Sequence, residues 1–228
     1  MHYFCCKTEI YFGNCFKSIE NTGMNYLEFK NRMFDLGCFS IHQVYAWKPD
    51  FDRNNFVRWV NKGLLLRLRQ GYYTFPDYKS QPDFALYFAN RIYRPSYVSL
   101  HTALSFYGMI PEAVVQITSV TTLKTVSFIN DFGDYSYKSI KENLMFGYDL
   151  KPIAGGRAFQ LAKPEKALLD LLYLYPFYNT AEELENLRLD EDFLHDELDL
   201  RLLEEYALRY DNKALAIRLK LLINIYNL

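Results

Sequence analysis

Cysteine is scarce and badly spaced for structural chemistry. The four residues stand at 5, 6, 15 and 38, with no C-x-x-C pair and no second cluster to complete a metal site. Free thiols in a reducing compartment are expected. Histidine is equally sparse: His2, His42, His101 and His195 lie far apart and fit no H-E-x-x-H or related ligand pattern, so no metal is expected. No apolar run approaches the roughly 18 residues of a membrane span. Lys7 and Glu9 interrupt the one N-terminal stretch that could pass for a signal peptide. A cytoplasmic protein with no membrane partner is expected. Gly155-Gly156 lacks the G-x-x-x-x-G-K-[ST] frame and precedes a strand pattern, which excludes a phosphate loop there. No cofactor is expected. Internal repeats and low-complexity tracts are also absent.

What is present is a chain that should fold. Half of its 228 residues are hydrophobic, and 20 Tyr, 18 Phe and 2 Trp argue against disorder or coiled coil. The length suits two modest domains. The net charge of -1 hides a split: residues 24–80 carry 9 basic and 5 acidic groups, whereas 81–228 carry 15 and 20. A small positive segment joined to a larger acidic one suggests a module that meets a polyanion, with the remainder serving another purpose.

Residues 1–23 show neither alternation nor a helical stripe and read as a loose arm, the alternative being an ordinary first strand or helix. From Asn25 to Asp35 apolar residues recur at helical spacing up to Gly37. Ser40 is a good N-cap for a short helix over Ile41–Trp47, which cannot run through the dipeptide before Pro49. Asp50 or Asp52 then caps a third helix from about Arg53 to Lys62, with Phe56, Trp59 and Val60 inward and Asn54, Asn55, Arg58 and Lys62 outward. Leu64–Leu68 and Tyr72–Phe75 read as two strands around Gly71. Three short helices and a hairpin make a winged helix-turn-helix over 24–78, whose third helix would lie in the major groove.

Pro76 to Pro82 reads as a linker. The second domain, 82–228, reads as α+β: helices at Asp83–Tyr93 and Ser99–Gly108, then strands at Val114–Thr122, Tyr135–Ile140, Asn143–Asp149 and Ala158–Ala162. A helix from Pro164 to Tyr175 follows, and helices at Ala181–Asn186, Asp199–Tyr210 and Lys213–Tyr226 close the chain. The linker and the change of charge predict that the two activities can be cut apart.

Three segments carry a family resemblance. The stretch Phe34–Phe75 resembles the N-terminal winged helix of the AbiEi-type antitoxins, the regulator half of a type IV toxin–antitoxin and phage-defence pair. YVSLHTALSFYGMIPE (Tyr97–Glu112) is similar to that family's helix after the linker, at Ser99, His101, Ala103, Leu104 and Gly108. AFQLAKPEKALLDLLYL (Ala158–Leu174) is similar to its A-x-P-E-K-A-L-x-D-L helix, at Ala162, Pro164, Glu165, Lys166, Ala167, Leu168, Asp170 and Leu171. The resemblance covers about 24–175 and the C-terminal helices only loosely. It implies a repressor of its own operon whose second domain opposes a nucleotidyltransferase-type toxin encoded alongside. It implies no enzymatic activity.

The residue chemistry supplies candidates. Arg53 and Arg58 can offer a guanidinium fork to guanine, Asn54 or Asn55 can pair with adenine, and Lys62, Arg67 and Arg69 suit phosphates. Tyr72 can touch a sugar or phosphate. Operator DNA is the expected partner, bound by a homodimer. A solvated basic face on a protein-binding module is the bland alternative. Glu165 and Asp170, five apart, should point to different sides of a helix, so these two and Lys166 read as structural, with Glu165 favouring the helix N-terminus. Ser99 and His101 read as structural too. The rival functions are a stand-alone regulator with a ligand-binding or dimerisation domain, and a Mg-dependent nuclease. The nuclease would use Asp149 and Lys151, a D-x-K triplet that Pro152 should terminate, with Asp131 and Asp134 upstream.

Overall fold

A computed structural model describes residues 24–81 and 83–228. The reading of 1–23 as a loose arm lies outside the described residues. The fold is mixed α+β, with a small three-stranded sheet and a larger six-stranded one.

The first unit is built around aromatic rings. α1 (Tyr26–Met33) starts at Asn25, whose side chain accepts the Leu27 N–H, and runs into a 3-10 turn at Phe34–Leu36 that Gly37 ends with φ +68°. β1 (Cys38–Ser40) follows and was not anticipated, because three residues are too few to show alternation. Ser40 and Gln43 form a reciprocal capping box on α2 (Ile41–Trp47). α3 (Asn54–Asn61), β2 (Leu66–Arg69) and β3 (Tyr72–Thr74) complete the unit. The strand order is β1-β3-β2, antiparallel throughout. Phe29 lies at the centre, its ring within 6.2 Å of those of Phe39, Phe51, Phe56, Trp59 and Phe75. Five such contacts around one fully buried ring fix the angles between three helices too short to be stable alone.

The larger sheet has the order β6-β7-β5-β4-β9-β8. Along the chain come α4 (Phe84–Ile92), β4 (Ser96–Val98), α5 (Leu100–Tyr107), β5 (Gln116–Thr121), β6 (Val126–Asn130), β7 (Gly133–Ser139), β8 (Tyr148–Ile153) and β9 (Arg157–Ala162). β4 pairs with β5 antiparallel and β9 parallel, so a three-residue strand joins the two halves of the sheet. The expected strand at Asn143–Asp149 is instead a 3-10 turn followed by β8, and Pro152 does not stop β8, which continues to Ile153. β8 is an edge strand, where a missing N–H is tolerated. α6 (Pro164–Leu174) packs on α5, on α9 (Leu200–Tyr210) and on α10 (Lys213–Tyr226), with the short α7 (Ala181–Glu185) and α8 (Glu191–Asp196) between.

The stretch read as a linker is packed structure. Pro76–Ser80 forms a 3-10 turn, and Tyr78 is buried with its ring stacked 5.0 Å from Phe34 and 4.5 Å from Phe84. Arg157 reaches from β9 to donate to the Asp35 carbonyl at 2.6 Å, and its guanidinium lies 5.6 Å from both the Tyr78 and Phe84 rings. The Tyr87 hydroxyl donates to the Leu36 carbonyl, and Asn130 Nδ2 to that of Leu68. Gly37 stands at this junction: a Cβ there would come within 3.1 Å of Arg157 Nε and 3.2 Å of Tyr87, and its positive φ disfavours any side chain. Composition misled because Pro, Asp and Ser are turn residues wherever a turn occurs, packed or free. Among the described residues no helix is long and apolar enough to cross a membrane.

Candidate nucleic-acid interface

α3 buries one side and offers the other. Phe56 and Trp59 face the aromatic core, and Asn54, Val57, Arg58 and Asn61 are exposed at i, i+3, i+4 and i+7, a continuous outward stripe. Arg53 precedes this stripe and Lys62 follows it, both exposed. Val57 is 60% exposed, an apolar residue set among polar ones. Sequence reading missed Val57 and Asn61, although extending the spacing from Asn54 would have found both.

Beside α3 the hairpin turns at Gln70-Gly71. Gly71 takes φ +81°, and its carbonyl accepts the Ile41 N–H at 2.9 Å, which ties the turn to the start of α2. Between α3, α2 and the hairpin lies a cleft of about 750 Å³, lined by His42, Arg53, Val57, Arg67, Gln70 and Tyr72 among others. Arg67 is exposed on β2, and Tyr72 is half-buried, paired in register with Ser40 and Arg69. The fold therefore gathers Arg53, Arg67 and Tyr72 at one opening, with Asn54, Arg58 and Lys62 on the adjoining helix surface.

Two expected contacts fall elsewhere. Asn55 is 2% exposed, on the buried side of α3 next to Phe56, and its amide oxygen accepts a hydrogen bond from the Arg58 guanidinium. It orients Arg58 and cannot itself reach a base. Arg69 is turned toward the second unit: Nη1 donates to the Ile92 carbonyl at 3.0 Å, at the C-terminal end of α4, and the guanidinium lies 4.4 Å from the Tyr93 ring. A cation at a helix C-terminus meets unpaired carbonyls and the negative end of the dipole. Arg69 is thus a clamp between hairpin and α4, although the cleft runs along its stem.

The second motif-bearing cluster is closed. Asp170 accepts from Tyr97 and Ser99 through Oδ2, each at 2.8 Å, and from Lys166 and Tyr210 through Oδ1, each at 2.6 Å. Lys166 also donates to the Tyr210 oxygen at 2.6 Å. Lys166, Asp170, Ser99 and Tyr97 are all 0% exposed. Burial and the adjacent carboxylate hold the Tyr97 and Tyr210 hydroxyls well above the usual tyrosine range, so both stay protonated donors. Burial pulls the Lys166 ammonium down against the opposing pull of Asp170. The arrangement joins β4, α5, α6 and α9.

Glu165 sits apart from this network and accepts the Asp199 N–H at 3.1 Å, so its partner is the entry to α9 as well as its own helix terminus. His101 Nε2 lies 3.3 Å from the Tyr178 hydroxyl, and burial lowers the imidazole below its ordinary value of 6.5.

The D-x-K constellation does not assemble. Asp149 and Lys151 lie on the edge strand β8, whereas Asp131 lies in the β6–β7 turn and Asp134 on β7, toward the opposite edge, with four strands between β6 and β8. Asp131 meets Lys79 at 3.4 Å instead. Among the described residues no three His, Cys, Asp or Glu side chains come together as a metal site. No family model and no curated protein matches the chain.

Proposed function

We propose that α1–α3 and the β2–β3 hairpin act as a winged helix-turn-helix that binds duplex operator DNA, and that the protein is a transcriptional repressor of its own operon. The observation that carries this reading is the exposed stripe Asn54–Val57–Arg58–Asn61, flanked by Arg53 and Lys62 and facing outward beside the Arg67 hairpin. Such a helix combines what groove binding requires. Arg58 provides a held guanidinium for guanine O6 and N7, Asn54 an amide for adenine, and Val57 an apolar surface for a thymine methyl. Arg53, Lys62 and Arg67 supply phosphate contacts that set affinity and register. The acidic residues Asp50 and Asp52 lie in the loop before α3, off the stripe.

The antitoxin role of the second unit rests on the resemblance at Tyr97–Glu112 and Ala158–Leu174. The geometry adds one consideration: the residues that carry that resemblance, Ser99, Lys166 and Asp170, hold the unit together from inside. A toxin-binding surface would therefore be built from exposed residues that the motifs do not include.

The test of the DNA reading is binding of the full-length protein to the duplex upstream of its own gene across a range of salt. The three cations assigned to phosphates, at about 0.9 per phosphate neutralised, contribute about -2.7 to the slope of log affinity against log salt. The antitoxin reading is tested by co-expression with a neighbouring nucleotidyltransferase. Restored growth supports it, and continued arrest with soluble protein present overturns it.

A further inference from the structure

The cleft beside α3 has neighbouring openings toward the second unit. Ser40 and Tyr72, which border it, also border a neighbouring opening of about 180 Å³ whose far wall is Arg91 and Arg94 of the second unit. The same two arginines line a third opening of about 450 Å³ with Asn90, Ser96 and Gln160. The three openings are neighbours, each sharing lining residues with the next; Arg53 and Arg67 line the first, and Arg91 and Arg94 line the other two.

Arg91 occupies the last turn of α4, its guanidinium 5.6 Å from the Tyr87 ring, and Arg94 follows, its Nε donating to the Asn90 carbonyl at 3.2 Å. Among the described residues neither makes a salt bridge. Partial burial of the guanidinium, and after it the neighbouring charge of Arg91, lower Arg94 from its ordinary value. The acidic excess of the second unit lies in other elements. Twelve of the twenty acids in 81–228 fall between 182 and 211, on α7–α9 and their connections, whereas α4 packs on β4, β9, β5 and β2. A pair of forked cations facing a groove, with no carboxylate to neutralise them, suits the backbone of a polyanion.

We propose that Arg91 and Arg94 form a second phosphate-binding track beside the hairpin, so that bound duplex DNA is gripped by both units of the protein. This rests on the DNA-binding reading above and extends its footprint. The packed junction at Tyr78, Arg157 and Arg69 gives the track its meaning, because it fixes Arg91 and Arg94 relative to α3.

The experiment measures affinity of the full-length protein for two labelled duplexes of about 30 bp, the upstream DNA and a random sequence, at salt from about 50 to 300 mM. With five phosphate contacts the wild-type slope is about -4.5, and the Arg91→Gln/Arg94→Gln double variant flattens it by about 1.8, weakening both duplexes by the same factor. Arg91→Lys/Arg94→Lys recovers the slope, since a phosphate accepts a point charge. Should the double variant fail to fold, the exposed Arg94→Gln alone is expected to flatten the slope by about 0.9. An unchanged slope, with Arg58→Ala still weakening binding, overturns the track and leaves the helix–hairpin reading intact. Loss confined to the upstream duplex also overturns it, because that pattern is base reading. A flat salt response of the wild type removes both proposals.

Discussion

Arg58 and Lys166 are both helical cations held by an oxygen about one turn away on their own helix, and they come to opposite ends. Arg58 donates to the amide of Asn55 and stays exposed; Lys166 donates to the carboxylate of Asp170 and is 0% exposed. The neutral amide fixes the guanidinium's direction and leaves its charge available to an anion. The carboxylate cancels the charge, and with the Tyr97, Ser99 and Tyr210 hydroxyls it satisfies the polar atoms of a buried site. The partner's charge and the site's exposure, more than the presence of a basic residue, separate a cation left open to an anion from one that holds a fold.

That contrast is broken most severely from the buried side. Asp170→Ala leaves the Lys166 ammonium without its counter-charge, and the expected cost is about 3–5 kcal/mol of folding stability, read from denaturant unfolding. Replacing both residues together, Lys166→Met with Asp170→Leu, should recover a large part of it. If the single variant costs no more than the double, the network is not a buried ion pair in solution.

The junction between the units comes next. Tyr78→Ala removes a buried ring stacked on Phe34 and Phe84 and should cost about 3 kcal/mol, with one unfolding transition for the whole chain. Two separate transitions in the wild type would contradict a packed junction. By the same argument a fragment ending at residue 80 exposes Tyr78 and Phe34 and should be markedly less stable than the intact chain, measured by thermal unfolding.

On the exposed side the effect moves from stability to binding. Arg58→Ala should weaken the upstream duplex by about 1–3 kcal/mol and random DNA by less, while changing stability by no more than about 0.5 kcal/mol. Asn55→Ala should weaken upstream binding as well, although it meets no base, because it releases the Arg58 guanidinium. Equal losses on both duplexes for Arg58→Ala would reassign it to a phosphate.

The smallest effect concerns His101. Its folded value lies below the ordinary 6.5, so below that pH the unfolded chain takes up a proton that the folded one resists, and stability falls. The wild-type melting temperature should therefore drop more between about pH 7.5 and 5.5 than that of His101→Gln. Parallel curves would show that His101 carries none of the dependence.

Much of the first unit was legible because its signals are local. Ser40 with Gln43, Gly37 and Gly71, and the Phe56–Trp59 spacing each report on a few neighbouring residues. Local pattern could not show that Asn55 falls on the buried side of α3, or that Arg69 turns away to Ile92, since the second depends on an element that begins fifteen residues later. β4 and β1 escaped for another reason: three residues carry no period. The motif Pro164–Leu171 was visible as a pattern, yet its meaning required Tyr97 and Tyr210, which lie 73 and 40 residues from Asp170. Five-residue spacing suggested that Glu165 and Asp170 diverge, and they do, each to a different partner.

The salt dependence of DNA binding by the full-length protein tests the account most directly, because only an exposed, unneutralised set of cations produces it. With the upstream duplex, log affinity should fall linearly against log salt with a slope between about -2.7 and -4.5, depending on whether Arg91 and Arg94 take part. A slope near zero, from protein that unfolds in a single cooperative transition, would contradict it.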